Sequence, residues 1–198
     1  MVDAWKDDRL PEKQISLNVK ELAGQYPSHW REFLQCLRHQ TVPRNVPLYD
    51  VGCGVGATYA LLQQERLPFR YCGIDFSEAM ISKARNAWGN PDVFHVDDYR
   101  AWSRDISDGI LYCTGLLDVV EDGVKELKRL LSFGCSTVIL NRINIGSTKN
   151  LQSYRAYDTI TSYRYTFAFT EFMDTIKESG YSLVFYVGAC FLLRKNMP

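Results

Sequence analysis

No C-x-x-C pair, internal repeat, low-complexity tract or long apolar run interrupts this 198-residue chain. The absence of apolar runs near ~20 residues excludes a helical membrane span. Six cysteines stand apart at 36, 53, 72, 113, 135 and 190. Without short spacing they make no metal-ligand cluster, so no metal site is expected. Cys72, Cys113, Cys135 and Cys190 fall in apolar runs and read as small buried hydrophobes. Unpaired thiols at this density suit a reducing compartment. The opening stretch MVDAWKDDRLPEKQ has no apolar core of a secretory signal, so a cytoplasmic setting is expected. Net charge is also lacking, since 23 basic residues balance 23 acidic ones. That balance argues against a nucleic-acid coat or a membrane-surface protein. What remains, with 46% hydrophobic residues, is one ordinary domain with a sizeable core.

Residues 1–20 are polar and charged, and are expected to be irregular or loosely docked. SHWREFLQCLRHQ (28–40) has helical spacing of Trp30, Phe33, Leu34 and Leu37, with Ser28 as a candidate N-cap. TVPRNVP then breaks the helix. Beyond it, strand-like and helical stretches alternate: strands in 46–52, 69–75, 92–98, 109–115 and 136–143, and helices in 57–66, 77–88, 122–131 and 170–180. Such alternation implies a parallel sheet covered on both faces. YSLVFYVGACFLLRK (181–195) reads as two strands around Val187-Gly188-Ala189. So short a link requires an antiparallel pair. The expected fold class is α/β: a three-layer αβα sandwich whose mostly parallel seven-stranded sheet ends in an antiparallel hairpin.

Within that order, LYDVGCGVGATYALL (48–62) places Gly52, Gly54 and Gly56 between a strand and a helix. Glycines there permit a tight turn and close backbone approach by a ligand. The helix N-terminus beyond them suits an anionic group. The next strand ends CGIDFSEAM, with Asp75 lying 23 residues after Gly52. A carboxylate there can accept both hydroxyls of a ribose, and Phe76 can press on an adenine face. Ser77 is free to cap the following helix, which leaves Asp75 available. These features together indicate an adenosine ligand.

Two patterns compete. Gly52, Gly54 and Ala57 form the dinucleotide fingerprint of an NAD-dependent oxidoreductase. Asp50, Gly52, Gly54 and Gly56 form D-x-G-x-G-x-G, which resembles motif I of class I S-adenosylmethionine-dependent methyltransferases. A dinucleotide brings a pyrophosphate, which Asp50 would repel; S-adenosylmethionine brings a sulfonium and an ammonium. The resemblance covers about residues 46–195, with YCGIDFSEAMISKAR similar to motif II. It implies S-adenosylmethionine as cofactor, with Asp50, Gly52, Cys53, Gly54, Gly56, Asp75, Phe76, Asp97, Asp98 and Thr114 as its site. Asp97 is the first choice for the adenine amino group and Asp98 the second, with helix capping as the alternative for the pair; Tyr99 can stack on the base instead.

Methyl transfer needs alignment above all, and a base only for a poor nucleophile. No strong catalytic motif is present, and the Asn-Pro-Pro-Tyr motif of amino-methylating nucleic-acid enzymes is missing. Thr114, Asp118, Asn141 and Arg142 can face an acceptor, with Asp118 and Asn141 as weak catalytic candidates. His95 reads as a core histidine, whereas His29, Tyr26 and Trp30 lie in a segment (1–45) that can fold over the pocket as a lid. INIGSTKNLQSYRAYDTITSYRYTFAF (143–169) reads as a long connecting loop rich in tyrosine and arginine, namely Tyr154, Tyr157, Tyr163, Tyr165, Arg155 and Arg164. Long loops in compact domains tend to be functional, so this one is expected to bind the acceptor. Its order resembles methyltransferases of surface-polysaccharide biosynthesis, which implies a small polar or sugar-containing acceptor; a nucleic-acid surface would hold more lysine than this stretch does, so no nucleic-acid partner is expected. A non-catalytic, methyltransferase-like binding module is the remaining alternative.

Overall fold

The computed structural model describes residue 7 and residues 9–39, 45–103, 105–156 and 160–196. Tyr157 and residues 41–44 of the proline-rich connector lie outside them. Five parallel strands follow the expected alternation: β1 (Pro47–Val51), β2 (Arg70–Asp75), β3 (Phe94–Val96), β4 (Ile110–Thr114) and β5 (Thr137–Asn141). Helices α3 (Ala57–Gln64), α4 (Glu78–Trp88) and α5 (Gly123–Ser132) lie between them in the chain.

Two further strands complete the main sheet, β9 (Tyr181–Val187) and β10 (Cys190–Lys195). They pair antiparallel around Gly188-Ala189, and β10 runs antiparallel to β5, with Phe191 opposite Leu140. The seven strands take the order β3-β2-β1-β4-β5-β10-β9, so the expected architecture is present.

Strand alternation divides the core into two layers. Leu111, Cys113, Val138 and Leu140 face α5 and the later helix α6 (Phe169–Glu178), through Leu127, Leu131, Phe172 and Ile176. Ile110, Tyr112, Ile139 and Leu192 face the other way, against α2 (Ser28–His39), α3 and α4. Successive residues of a strand point to opposite faces, so apolar strands of this kind need helices on both sides.

Local chemistry sets the helix starts. Ser77 Oγ accepts from the Met80 amide at 3.4 Å and caps α4. Ser77→Ala is expected to cost about 1 kcal/mol, seen in thermal unfolding as a fall of about 2–4 °C for a domain of this size.

Two expectations need correction. The polar N-terminal segment is not wholly irregular, because Leu10–Ala23 forms a helix, α1, with Pro11 in its first turn. Leu10 and Ile15 bury themselves against Val55 and Met80, and Glu12 pairs with Lys83 on α4. The stretch 143–169 is not a loop either. It forms a second sheet of β6 (Asn144–Gly146), β7 (Asn150–Ala156) and β8 (Ile160–Ala168), in the order β6-β8-β7. The alternation Tyr163, Tyr165, Phe167 along β8 is strand periodicity. Tyr165 and Phe167 are fully buried in the main core, which anchors the small sheet.

Candidate active site

The chain order in the main sheet reverses between β1 and β4, and ligands of open α/β sheets settle at such a switch point. A cavity of about 230 Å³ lies there, at the carboxyl ends of all five parallel strands. Gly52, Cys53 and Gly54 after β1, Asp75 and Phe76 after β2, Asp97 after β3, Thr114 at the end of β4 and Arg142 after β5 line it. The candidates Asp50, Gly56, Asp98, Asp118 and Asn141 do not line it.

The glycine loop is held by its own hydrogen bonds. The Gly52 and Cys53 amides donate to Ile74 O at 2.8 and 3.0 Å, and the Gly54 amide donates to Asp75 Oδ2 at 2.9 Å. Asp75 Oδ1 accepts from the Ser77 amide at 2.9 Å. Asp75 therefore braces the loop besides facing the cavity, and burial raises its pKa despite both bonds. The loop amides expected to hold the ligand's carboxylate are thus largely engaged. Among the described residues, those of Val55, Ala57 and Thr58, at the start of α3, have no hydrogen bond and also lie at the cavity. Trp88 Nε1 fastens the same turn by donating to Val55 O at 2.7 Å. Gly54 has φ +53°, and a Cβ there would stand 3.1 Å from Gln14 Oε1.

Asp50 lies beneath the loop, fully buried, with Oδ2 accepting from the Tyr71 hydroxyl at 2.7 Å. Burial pushes its pKa up to about 7. A carboxyl whose pKa rises on folding binds its proton more tightly when folded. Its stabilising contribution is complete below the unfolded value near ~4 and fades as pH climbs through about 7. Asp50→Asn removes this titration while keeping an acceptor for Tyr71. The melting temperature of the variant, relative to the parent, is therefore expected to rise steadily between pH 5 and pH 8; a constant difference would contradict the assignment.

The turn after β3 separates its two aspartates. Asp97 lines the cavity and accepts from Trp102 Nε1. Asp98 faces away, accepting from the Arg100 amide at 3.0 Å and pairing with the Arg100 side chain at 2.9 Å, so it caps the 99–101 turn. Tyr99 lines the cavity by its ring, while its hydroxyl donates to Glu126.

The 1–45 segment is expected over the pocket through His29, Tyr26 and Trp30, but that expectation does not include the α1 residues that line it. Gln14, Leu17, Asn18 and Glu21 of α1 line the cavity together with His29 and Trp30 of α2. Their i, i+3, i+4, i+7 spacing was visible, but three of the four are polar and escape a search for apolar stripes. His39 stacks on Phe185 at 3.7 Å, away from the cavity, and His95 lies on β3.

A second cavity, of about 300 Å³, adjoins through two shared walls, His29 and Arg142. Ser28, Glu32, Asp118, Asn144, Tyr154, Tyr163, Arg164 and Ala189 complete it, so the small sheet does supply its outer side. Asp118 Oδ2 pairs with Arg142 Nη2 at 3.2 Å, and burial raises the pKa of Asp118 against that charge. Asn141 is a bracket instead. It donates to His29 O at 2.7 Å and to Tyr112 Oη at 3.2 Å, and accepts from the Arg142 amide at 2.8 Å. Arg142 itself has φ +62°, a left-handed conformation uncommon for non-glycine residues. His29 is held neutral, its pKa lowered to about 4 by burial and then by the Arg142 charge.

The donor cavity suits a cation. Glu21, Asp75 and Asp97 line it, against the guanidinium of Arg142. A pyrophosphate would meet this acidic wall with few free amides. S-adenosylmethionine offers a sulfonium and an ammonium for the carboxylates and one small carboxylate for the start of α3.

A family model described as a methyltransferase domain matches residues 48–134. The trans-aconitate 2-methyltransferase of Escherichia coli is 36% identical over 84 residues, covering 42% of this chain and 32% of that protein. The chain thus spans about a third of the length of the curated relatives it matches. Among solved structures, a methyltransferase from Methanosarcina mazei aligns with TM-score 0.67 at 15% identity, over 82% of this chain and 98% of that one. A sugar N-methyltransferase from Streptoalloteichus aligns with TM-score 0.61 at 13% identity, over 92% and 93%. Residues 48–134 thus match a methyltransferase domain, and the fold around the acidic cavity at the switch point is one shared with solved methyltransferases.

Proposed function

We propose that this chain transfers the methyl group of S-adenosylmethionine to a small polar acceptor held in the second cavity. The adjacency of the two cavities through His29 and Arg142 carries this reading. The cofactor supplies an electrophilic methyl on a good leaving group, and the residues around it supply position. In this reading Asp75 takes the ribose diol, Phe76 and Tyr99 flank the base, and Asp97 meets the adenine edge. Gly52, Cys53, Gly54 and Thr114 shape the wall. Residues 1–45 act as a lid through α1 and α2, and the 143–169 sheet holds the acceptor. Alignment of this kind is worth ~7–11 kcal/mol when the reacting atoms are held in place.

The small-molecule choice is supported by the limited size of the second cavity, about 300 Å³, and by the relatives' names, which specify trans-aconitate in one case and a sugar in another. A nucleic-acid acceptor would call for a basic surface, which a chain of balanced charge does not favour. A cytoplasmic setting is part of the proposal, resting on six free cysteines. No helix among the described residues is long and apolar enough to cross a membrane.

The test is transfer of label from methyl-labelled S-adenosylmethionine to a panel of amino sugars, hydroxy acids and polycarboxylates. Label on one of these compounds is expected. Tight cofactor binding without turnover on any of them would favour a binding module instead.

A further inference from the structure

We infer that the acceptor is a small polycarboxylate, anchored by Arg164 and Arg142 and methylated on a carboxylate oxygen. This rests on the methyltransferase reading above and names its substrate class.

Two guanidiniums line the second cavity at different depths. Arg142 stands at the wall shared with the donor cavity, and Arg164 projects from β8 on the outer side. Among the described residues Arg164 has no ion-pair contact within 4 Å, although its charge acts on Asp118; it lies over the Tyr154 ring, 5.5 Å from its centroid. A planar guanidinium so held presents its fork to a carboxylate. The cavity's own anions each have a partner, Asp118 through Oδ2 alone while its Oδ1 has none among the described residues. Asp118 pairs with Arg142, and Glu32 accepts from the Ala189 amide at 3.1 Å. Arg142 retains further donors beyond the one given to Asp118, and its side chain is 47% exposed.

The chemistry at the shared wall points the same way. A hydroxyl acceptor needs a base, yet the wall holds a guanidinium and a histidine whose pKa is about 4, too low for a strong base at neutral pH. A carboxylate is already ionised and needs none. The oxygen's lone pair forms the bond to the methyl carbon while the carbon–sulfur bond breaks, its electron pair staying on sulfur. The products are a methyl ester and S-adenosylhomocysteine, with no proton to place. An acceptor with at least two carboxylates can bind Arg164 with one and present the other at Arg142.

The experiment is calorimetry on the full chain saturated with S-adenosylhomocysteine, titrating trans-aconitate, citrate and succinate, with glucosamine as the contrasting probe. At least one polycarboxylate is expected to bind, and glucosamine is not. Arg164→Gln is expected to weaken that binding by about tenfold or more, as for a lost bidentate contact, with Arg164→Lys recovering part of it. Neither change should alter S-adenosylhomocysteine affinity. Labelled product should release its methyl under mild base, as an ester does. Failure of all three acids to bind while S-adenosylhomocysteine binds, or a base-stable product, overturns the inference alone. Failure of S-adenosylhomocysteine to bind overturns the donor-site reading beneath it.

Discussion

Gly54→Val is expected to lower affinity for S-adenosylhomocysteine by about 100-fold or more, the largest loss from any single change in the loop. A β-branched residue at φ +53° is strained, typically by about 1–3 kcal/mol. Its Cβ would press on Gln14 Oε1, 3.1 Å away, and its methyls would enter the space between the loop and α1. Relief requires the loop to turn, which breaks the Gly54 amide's bond to Asp75 and displaces the wall that the cofactor needs. Gly54→Ala keeps the strain but not the bulk, so its loss should be smaller. Calorimetry, with circular dichroism to confirm folding, measures both. A folded valine variant of unchanged affinity would mean that the cofactor sits elsewhere.

Asp75→Ala should weaken S-adenosylhomocysteine by about 10–100-fold, corresponding to about 1–3 kcal/mol for lost charge-assisted hydrogen bonds. It should also lower thermal stability, because the Gly54 and Ser77 amides lose their acceptor. Asp75→Asn is not a silent replacement. The carboxylate accepts through both oxygens, whereas an amide has one oxygen and would turn its NH2 toward one of those donors. Since Gly54 and Asp75 share a hydrogen bond, the double variant should lose less than the two single losses combined.

What was legible in the sequence was local. β1, its glycine turn and α3 follow one another in the chain, so Gly52, Gly54 and Asp75 could be placed at strand ends from pattern alone. Tyr181–Val187 and Cys190–Lys195 revealed an antiparallel pair because two residues cannot span a parallel return. What was illegible depended on partners distant in sequence. Asp50 looks like a ligand contact in D-x-G-x-G-x-G, yet its carboxylate turns beneath the loop to Tyr71. Asn141 sits at a strand end where a catalytic amide would be at home, but Tyr112 and the His29 carbonyl hold it. α1 was hidden because its cavity face is polar, and a helix that roofs a site need not carry a continuous apolar stripe. The small sheet was hidden by the turn-rich look of 143–162, although Tyr163, Tyr165 and Phe167 alternate as a strand should.

A cationic nucleoside lodged at the carboxyl ends of β1 and β2 is the central expectation. Calorimetric titration of the unmodified chain with S-adenosylmethionine, S-adenosylhomocysteine and NAD tests this most directly. One equivalent of each sulfur nucleoside should bind, competing with the other, while NAD gives no heat. Saturable binding of NAD, or no binding of either sulfur nucleoside, would contradict it.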